Sequence, residues 1–437
     1  MIQSLKRIVP LLLLAAALLC GQAYAEREAV PELLLFSQHT ESSVARKKYT
    51  TNLTYPDTTN DTVNGEVAGI VDRLAAEAEA HKPKSVKESC LMDTGATVRV
   101  TGTKTASFLV LSHVAADREQ VWSAFETAVF DLETGGLMDL DAFFTPEAGG
   151  VIEASIREQL TAYFPDDAPE EAALDALCEG WREAPFTLSP AYLEFHYPAS
   201  ALYADRKTLM HVRIPYRRLT EYMTGTGRTE LDNSRYLLAA MTFDDGPGRG
   251  VTAGILKTLR EWCAMGTFFN CGRPMRMAHD YIAWEHDAGH AVQSHTYTHT
   301  DRQRDKAVMF KERDRFAREQ TELIGIPPAY MRAPGGNDKL YASYEIGMPI
   351  VRWTTLSGDA GSGRIDFVAN VMHTLKESSV ILMHNIKWHS VNGAGSILAR
   401  LRELGYMCVT VDELFEIRGM PMQDNTVYYG DEADRQE

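Results

Sequence analysis

Between residues 236 and 411, apolar runs of strand length alternate with stretches of helix length, and this alternation constrains the fold more than any other feature. The strand-like runs lie at 236–243, 266–270, 290–294, 350–354, 380–383 and 407–411; helical patterns occupy 252–264, 278–287, 306–323 and 397–404. Strands joined through helices pair in parallel, with the helices packed outside. The spacing therefore predicts an α/β domain of repeated βα units, which brings reactive side chains to the carboxyl ends of the strands.

The preceding half has a different grain. Residues 96–111 alternate about Gly102 as a hairpin does, and 121–132 lead into the turn Glu133-Thr134-Gly135-Gly136. A helix fits 152–163, and strands fit 192–197 and 208–214. These predict a smaller α+β module over 84–219. Residues 220–235, polar and carrying two glycines, are expected to be a linker. No order is assigned to 26–83, which includes the turn-rich stretch 50–64, and 420–437 form an acidic tail.

Residues 1–25 combine Lys6 and Arg7, an apolar run and the small-residue site Ala23-Tyr24-Ala25, the pattern of a secretory leader. The apolar run is shorter than the roughly 20 residues of a spanning helix, so an exported chain with no membrane span after cleavage is expected; an uncleaved anchor is the rival reading. Leu18-Leu19 argues against lipid attachment at Cys20. Export would let Cys90, Cys178, Cys263, Cys271 and Cys408 pair. Their odd number leaves at least one free, with Cys90–Cys178 the one suggested bridge and buried thiols the alternative. A net charge of −16 opposes nucleic-acid and anionic-membrane partners and suits a neutral or amino-sugar substrate.

Chemistry gathers at the expected strand ends: Asp244-Asp245-Gly246-Pro247, His295-Thr296-Tyr297-Thr298-His299, Arg332-Ala333-Pro334-Gly335-Gly336, Asp359 and His384. Histidines four apart can share a divalent ion. His286 and His290 have the same spacing, so the pair alone is weak evidence. Thr296 stands where H-E-x-x-H metalloproteases carry their base, so a base has to come from elsewhere. Two adjacent carboxylates at a strand end can divide the roles of third ligand and base, although Asp-Asp-Gly-Pro is also good turn chemistry.

In this order, Thr242-Phe243-Asp244-Asp245-Gly246-Pro247, Gly266-Thr267-Phe268-Phe269, Gly289-His290 leading to His295 and His299, Arg332-Ala333-Pro334-Gly335-Gly336 and Leu382-Met383-His384 resemble the polysaccharide deacetylases of carbohydrate esterase family four, over residues 236–419. The resemblance implies a distorted (β/α) barrel and a divalent metal, zinc, held by Asp245, His295 and His299. It implies Asp244 as base, Arg332 holding that carboxylate, a backbone N–H near Gly335 for the oxyanion, Leu382 lining the acetyl pocket, His384 as acid and Asp359 orienting it. The chain departs from the family pattern at Leu356 and Ala360, beside Asp359, which alters the groove wall. Trp388 either supplies aromatic surface for a sugar ring or is a packed core or rim residue.

In the first half, Phe130-Asp131-Leu132-Glu133-Thr134-Gly135, Leu140-Asp141-Ala142-Phe143-Phe144 and Phe186-Thr187-Leu188-Ser189 resemble an uncharacterised α+β domain found ahead of some peptidoglycan deacetylases and in lysozyme-sensing membrane proteins. That implies contact with cell-wall glycan or a wall-directed enzyme; a spacer is the alternative. The function implied is removal of N-acetyl groups from an acetylated amino-sugar polymer, foremost peptidoglycan. An esterase on O-acetylated xylan and a catalytically silent glycan-binding protein remain as alternatives, the last opposed by the presence of both an acid and a base.

Overall fold

Hydrogen-bonded order begins well before residue 84. The computed structural model describes residues 27–45, 48–300, 304–361, 365–430 and 432–433; the expected leader, 1–25, lies outside the described residues. Strands β1 (Ser37–Ala45) and β2 (Tyr49–Asp57) pair antiparallel, in a region to which the sequence assigned no order. Asn60 accepts from the N–H groups of Thr62 and Val63 and so caps α1 (Asp61–Ala80). The buried face of α1, Val63, Val67, Val71, Leu74 and Ala78, recurs every three or four residues. Each of these larger side chains contributes about 1.5–3 kcal/mol by burial, so a charge at Val67 would undo the packing. With β3 (Cys90–Thr101), β4 (Thr105–Ala116) and β5 (Glu119–Asp131), the sheet runs β1-β2-β3-β4-β5. Only β2 and β3 pair in parallel, because α1 crosses between them.

The hairpin expected about Gly102 is present. Gly102 has φ +65°, and a Cβ there would lie 2.4 Å from Glu230 Cα, so both conformation and space require glycine. Next, α2 (Gly149–Ala162) packs through Ile152, Ile156 and Leu160 on the antiparallel strands β6 (Phe186–Leu188), β7 (Tyr192–Pro198) and β8 (Leu209–Pro215).

Residues 220–235 are not a loose linker. They contain α3 (Gly225–Glu230), and the buried Glu230 accepts from the N–H groups of Thr103 and Lys104 and the hydroxyls of Thr103 and Thr105. Asn233, also buried, accepts from Gly102 N–H and donates to Thr101 Oγ1 and the Pro190 carbonyl. Polar residues read from sequence as part of a linker are thus consumed by partners, most of them on the β3–β4 turn. One apolar cluster joins Val67, Val98 and Phe108 to Leu238, Ala240, Val351 and Val409, so the two halves share a core.

The second half is the α/β barrel, distorted in that its wall is not one continuous ladder. Its elements are β9 (Leu238–Asp244), α4 (Arg249–Glu261), β10 (Gly266–Asn270), α5 (His279–Asp287), β11 (Ala291–Ser294), α6 (Lys306–Ile324), β12 (Ile350–Arg352), β13 (Thr355–Leu356), α7 (Phe367–Thr374), β14 (Ser379–His384), α8 (Trp388–Glu403), β15 (Met407–Cys408), α9 (Val411–Ile417) and β16 (Val427–Tyr429). The wall runs β11-β10-β9-β14-β13 in parallel, and Met331 bridges Ser294 to Ile350 where a full strand is missing. Strand alternation sorts β9: Ala239, Met241 and Phe243 pack on α4 and α8, while Leu238 and Ala240 face the other cluster. Thr242 and Asp244 fall in the latter register, which carries Asp244 to the inner rim.

The suggested Cys90–Cys178 bridge is absent. All five described cysteines are free, and these two belong to separate apolar clusters, Cys90 beneath β4 and Cys178 beside α2.

Candidate metal and catalytic site

Three donors converge where β9 and β11 end. Asp245 Oδ1 lies 3.2 Å from His299 Nε2 and 3.6 Å from His295 Nε2. Ligand atoms of all three residues lie within 4.8 Å of one another. His295 Nδ1 is engaged with the Arg332 carbonyl at 2.8 Å, which fixes the ring and leaves Nε2 to face the cluster. Asp245 Oδ1 is buried and accepts no hydrogen bond, an uncompensated state that a cation would relieve. One carboxylate and two imidazoles are the donor set of an open divalent site, so these residues fit a metal. Burial first, opposed by Asp245 and reinforced by His299, pushes His295 down to about 3, keeping it neutral and able to ligate. The loops hold this arrangement under strain: Asp245, Thr296 and His299 have φ +73°, +66° and +54°. Glu312 ties down the second loop, accepting from the N–H groups of Tyr297 and Thr298 and from the Thr298 hydroxyl.

Beside the donors stands a buried ion pair. Arg332 Nη1 reaches Asp244 Oδ1 at 2.8 Å and donates to Thr242 Oγ1 at 2.7 Å, while Nε donates to the Val351 carbonyl. The guanidinium is fully buried, 4.1 Å from the Phe269 ring centroid. Burial raises the Asp244 pKa, and Arg332 followed by His384 opposes that rise. A carboxylate made more basic by burial beside a fixed cation that favours its ionised form is suited to accept a proton.

Across from it, His384 is the register partner of Asp244 on β14. Asp359 accepts from His384 Nδ1 at 2.8 Å, from its backbone N–H at 2.7 Å and from Ser390 Oγ at 2.7 Å. Burial lowers the His384 pKa, but the hydrogen bond and charge of Asp359, then Asp244 and Asp245, outweigh it and carry the pKa above 6.5. Asp359 is itself held below the carboxylate range: its burial is outweighed by the His384 and Ser390 bonds. The Asp359 contacts therefore shift this imidazole toward its protonated form.

Gly335 sits in the turn after Arg332 with φ +63°, and Leu382 is buried on β14 opposite Thr242 and Leu356. Leu356 is 51% exposed, so the altered groove wall presents an apolar side chain to solvent. Trp388 is placed differently. It is 66% exposed, lies against Gly250 and Gly254 of α4, and lines a cavity that none of the three donors lines.

Sequence reasoning missed the support beneath the Asp244-Asp245 turn. Buried Glu285 accepts from Asn270 Nδ2 at 2.6 Å and Asn385 Nδ2 at 3.5 Å, and Asn385 N–H donates to the Asp244 carbonyl at 2.7 Å. Burial drives Glu285 well above the carboxylate range. A Cβ at Gly246 would lie 2.5 Å from Asn385 Nδ2 and 2.6 Å from Asn270 Oδ1, which accounts for glycine after the two aspartates. The one sequence signal was buried-type polarity on α5, indistinguishable from a surface stripe.

A family model for polysaccharide deacetylase matches residues 234–346. A peptidoglycan-N-acetylglucosamine deacetylase of Bacillus cereus is 30% identical over 205 residues, covering 42% of this chain and 72% of that protein. The chain belongs to the polysaccharide deacetylases, carbohydrate esterase family four. Its likeness to the peptidoglycan-N-acetylglucosamine deacetylase PgdA of Listeria monocytogenes is 29% over 178 residues, 40% of this chain, and the chain spans 38% of that relative's length. Among solved structures, a polysaccharide deacetylase of Bacillus cereus is 31% identical with a TM-score of 0.37, covering 40% of this chain and 91% of that one. The family model takes in Asp244, Asp245, His295, His299 and Arg332; Asp359 and His384 lie beyond its matched stretch, and the pairing of β14 with β9 sets His384 beside Asp244.

Proposed function

We propose that this deacetylase-family chain hydrolyses N-acetyl groups of an amino-sugar polymer, peptidoglycan foremost, with a divalent metal, zinc, as cofactor. The observation that carries the reading is the meeting of three donors, a buried Asp244–Arg332 pair and a His384–Asp359 pair at one rim of the barrel. A cation bound by Asp245, His295 and His299 would polarise the acetyl oxygen and acidify a water beside it. Asp244 takes the proton from the attacking water. Arg332 positions that carboxylate and keeps it ionised until then. The Gly335 N–H is the donor assigned to the oxygen that becomes negative on attack, and Leu382 walls the methyl group. His384, kept protonated by Asp359, gives its proton to the departing amine, a poor leaving group while neutral. The register pairing of His384 with Asp244 supports acid and base acting from neighbouring strands on one substrate.

The curated relatives named above act on peptidoglycan N-acetylglucosamine by name, which supports that polymer as substrate and an exported site of action. Among the described residues no helix is long and apolar enough to cross a membrane. Acetate release from N-acetylglucosamine oligomers, peptidoglycan and acetylated xylan, measured side by side, tests the reading. Release from the first two supports it; release from xylan alone replaces it with an O-acetyl esterase.

A further inference from the structure

The turn after Arg332 is a tight one. Gly336 N–H donates to the Ala333 carbonyl at 3.2 Å, closing Ala333-Pro334-Gly335-Gly336. Gly335, in its third place, has φ +63° and ψ +15°, the conformation of a type II turn. Types I and II differ by rotating the middle peptide, here Pro334–Gly335, through about half a revolution, and proline is accepted at the second place of both. Glycine adopts either sign of φ, and Gly335 is exposed. Neither its own sterics nor packing around it therefore fixes that peptide plane.

The plane is held from its carbonyl end. Asn337 Nδ2 donates to the Pro334 carbonyl at 2.7 Å, and Asn337 N–H reaches the same oxygen at 3.4 Å. In a trans peptide the C=O and N–H lie in one plane and point opposite ways. A donor seated on the Pro334 oxygen therefore aims the Gly335 N–H away from itself, and it polarises that N–H as a donor. The orientation of the Asn337 amide is settled by its neighbours: Nδ2 meets a carbonyl, which only accepts, while Oδ1 accepts from Arg304 Nη2 at 3.3 Å. Arg352 anchors the far side of the turn, donating through Nη1 to the Gly336 carbonyl at 3.1 Å and to buried Asp338 at 2.7 Å. Between these fixed neighbours the Pro334–Gly335 peptide is free to rotate unless Asn337 holds it.

We propose that Asn337 is a positioning residue of the active site: its side-chain amide locks the Pro334–Gly335 peptide so that the Gly335 N–H faces the oxygen that becomes negative on attack. The catalytic part of this inference rests on the oxyanion role given to that N–H above; the hold on the peptide rests on the hydrogen bonds alone. Asn337 itself touches neither substrate nor metal in this role and acts through the backbone of the turn.

The test compares the full zinc-loaded chain with Asn337→Asp, which sets a carboxylate oxygen against the Pro334 carbonyl, and Asn337→Ala, which only removes the donor. Acetate release from N-acetylglucosamine tetramer gives kcat and KM, and a crystal structure of each variant gives the turn. Removing an oxyanion donor outright costs about 100- to 1,000-fold in kcat. A peptide facing the right way between about one time in ten and one in a hundred should cost Asn337→Asp about 10- to 100-fold, with a smaller loss in Asn337→Ala. The oxyanion forms only after attack, so KM, bound metal and melting temperature should stay as in the wild type, while Gly335 φ turns negative in Asn337→Asp. A wild-type kcat in Asn337→Asp, a loss of kcat matched by a loss of metal, or a lowered kcat with the Pro334–Gly335 peptide unmoved overturns the proposal. A wild type that releases no acetate from any glycan overturns the reaction instead, and a rotated peptide in Asn337→Asp would then still support the hold of Asn337 on the turn.

Discussion

Replacing Asp359 by asparagine isolates the hold on the acid. The carboxylate accepts three hydrogen bonds, from His384 Nδ1, His384 N–H and Ser390 Oγ. An amide of the same shape offers one oxygen and an NH2 donor, so at least one of those three donors faces another donor. A hydrogen bond to a charged group is worth about 1.5–3 kcal/mol, and about 1.4 kcal/mol is tenfold in rate, which gives a kcat roughly 10- to 150-fold lower at neutral pH. The pH dependence has a definite sign. Burial lowers the His384 pKa, and Asp359 is the main contribution that carries it above 6.5. The acid works only while protonated, so activity falls as pH rises through that value. Asparagine removes the raising contribution and moves the alkaline limb of the kcat profile to lower pH. Acetate release measured across pH on both proteins reads it. An alkaline limb that stays in place refutes the assignment of Asp359 as the group that tunes His384, whatever happens to the rate.

Other expectations follow from the same contacts. His295→Ala removes a donor and should lose both bound metal and turnover, read by equilibrium dialysis and acetate release; retained metal would contradict the ligand set. Glu312→Gln weakens the anchor of the His295–His299 loop and should lower metal affinity by about 10- to 100-fold, with an unchanged melting temperature showing that the loop alone is affected. Arg99→Met strips Glu413 of its partner at 2.9 Å and Glu194 of one at 3.3 Å, in a network whose side chains are at most 3% exposed. Glu194 keeps Arg213 at 3.0 Å, so the expected loss, about 3–5 kcal/mol by urea unfolding, comes chiefly from Glu413; a loss below about 1 kcal/mol would show that water reaches the cluster.

The barrel was legible because its information is periodic. Strands at 266–270 and 380–383 and the helix at 306–323 lie within a few residues of β10, β14 and α6, each bounded by a change of period or a turn. The candidate donors could be named because they stand at strand ends in ordered motifs. What escaped was non-periodic. Glu230 and Asn233 look like linker polarity and are buried only because the β3–β4 turn supplies their partners. Glu285 and Asn385 are joined across 100 residues of sequence, and no local pattern announces such a pair. The shared core of the two halves is invisible for the same reason: Val98 and Leu238 each read simply as strand residues. Trp388 is found on an interdomain cavity because that cavity requires the amino-terminal sheet, whose position no motif encodes.

Metal content and acetate release measured on the same samples of wild type and Asp244→Asn bear most directly on the central claim that Asp245, His295 and His299 hold the metal while Asp244 moves the proton. The account predicts equal metal in both proteins and acetate from the wild type alone, with release abolished by a chelator. Turnover by Asp244→Asn, or loss of its metal, would contradict it.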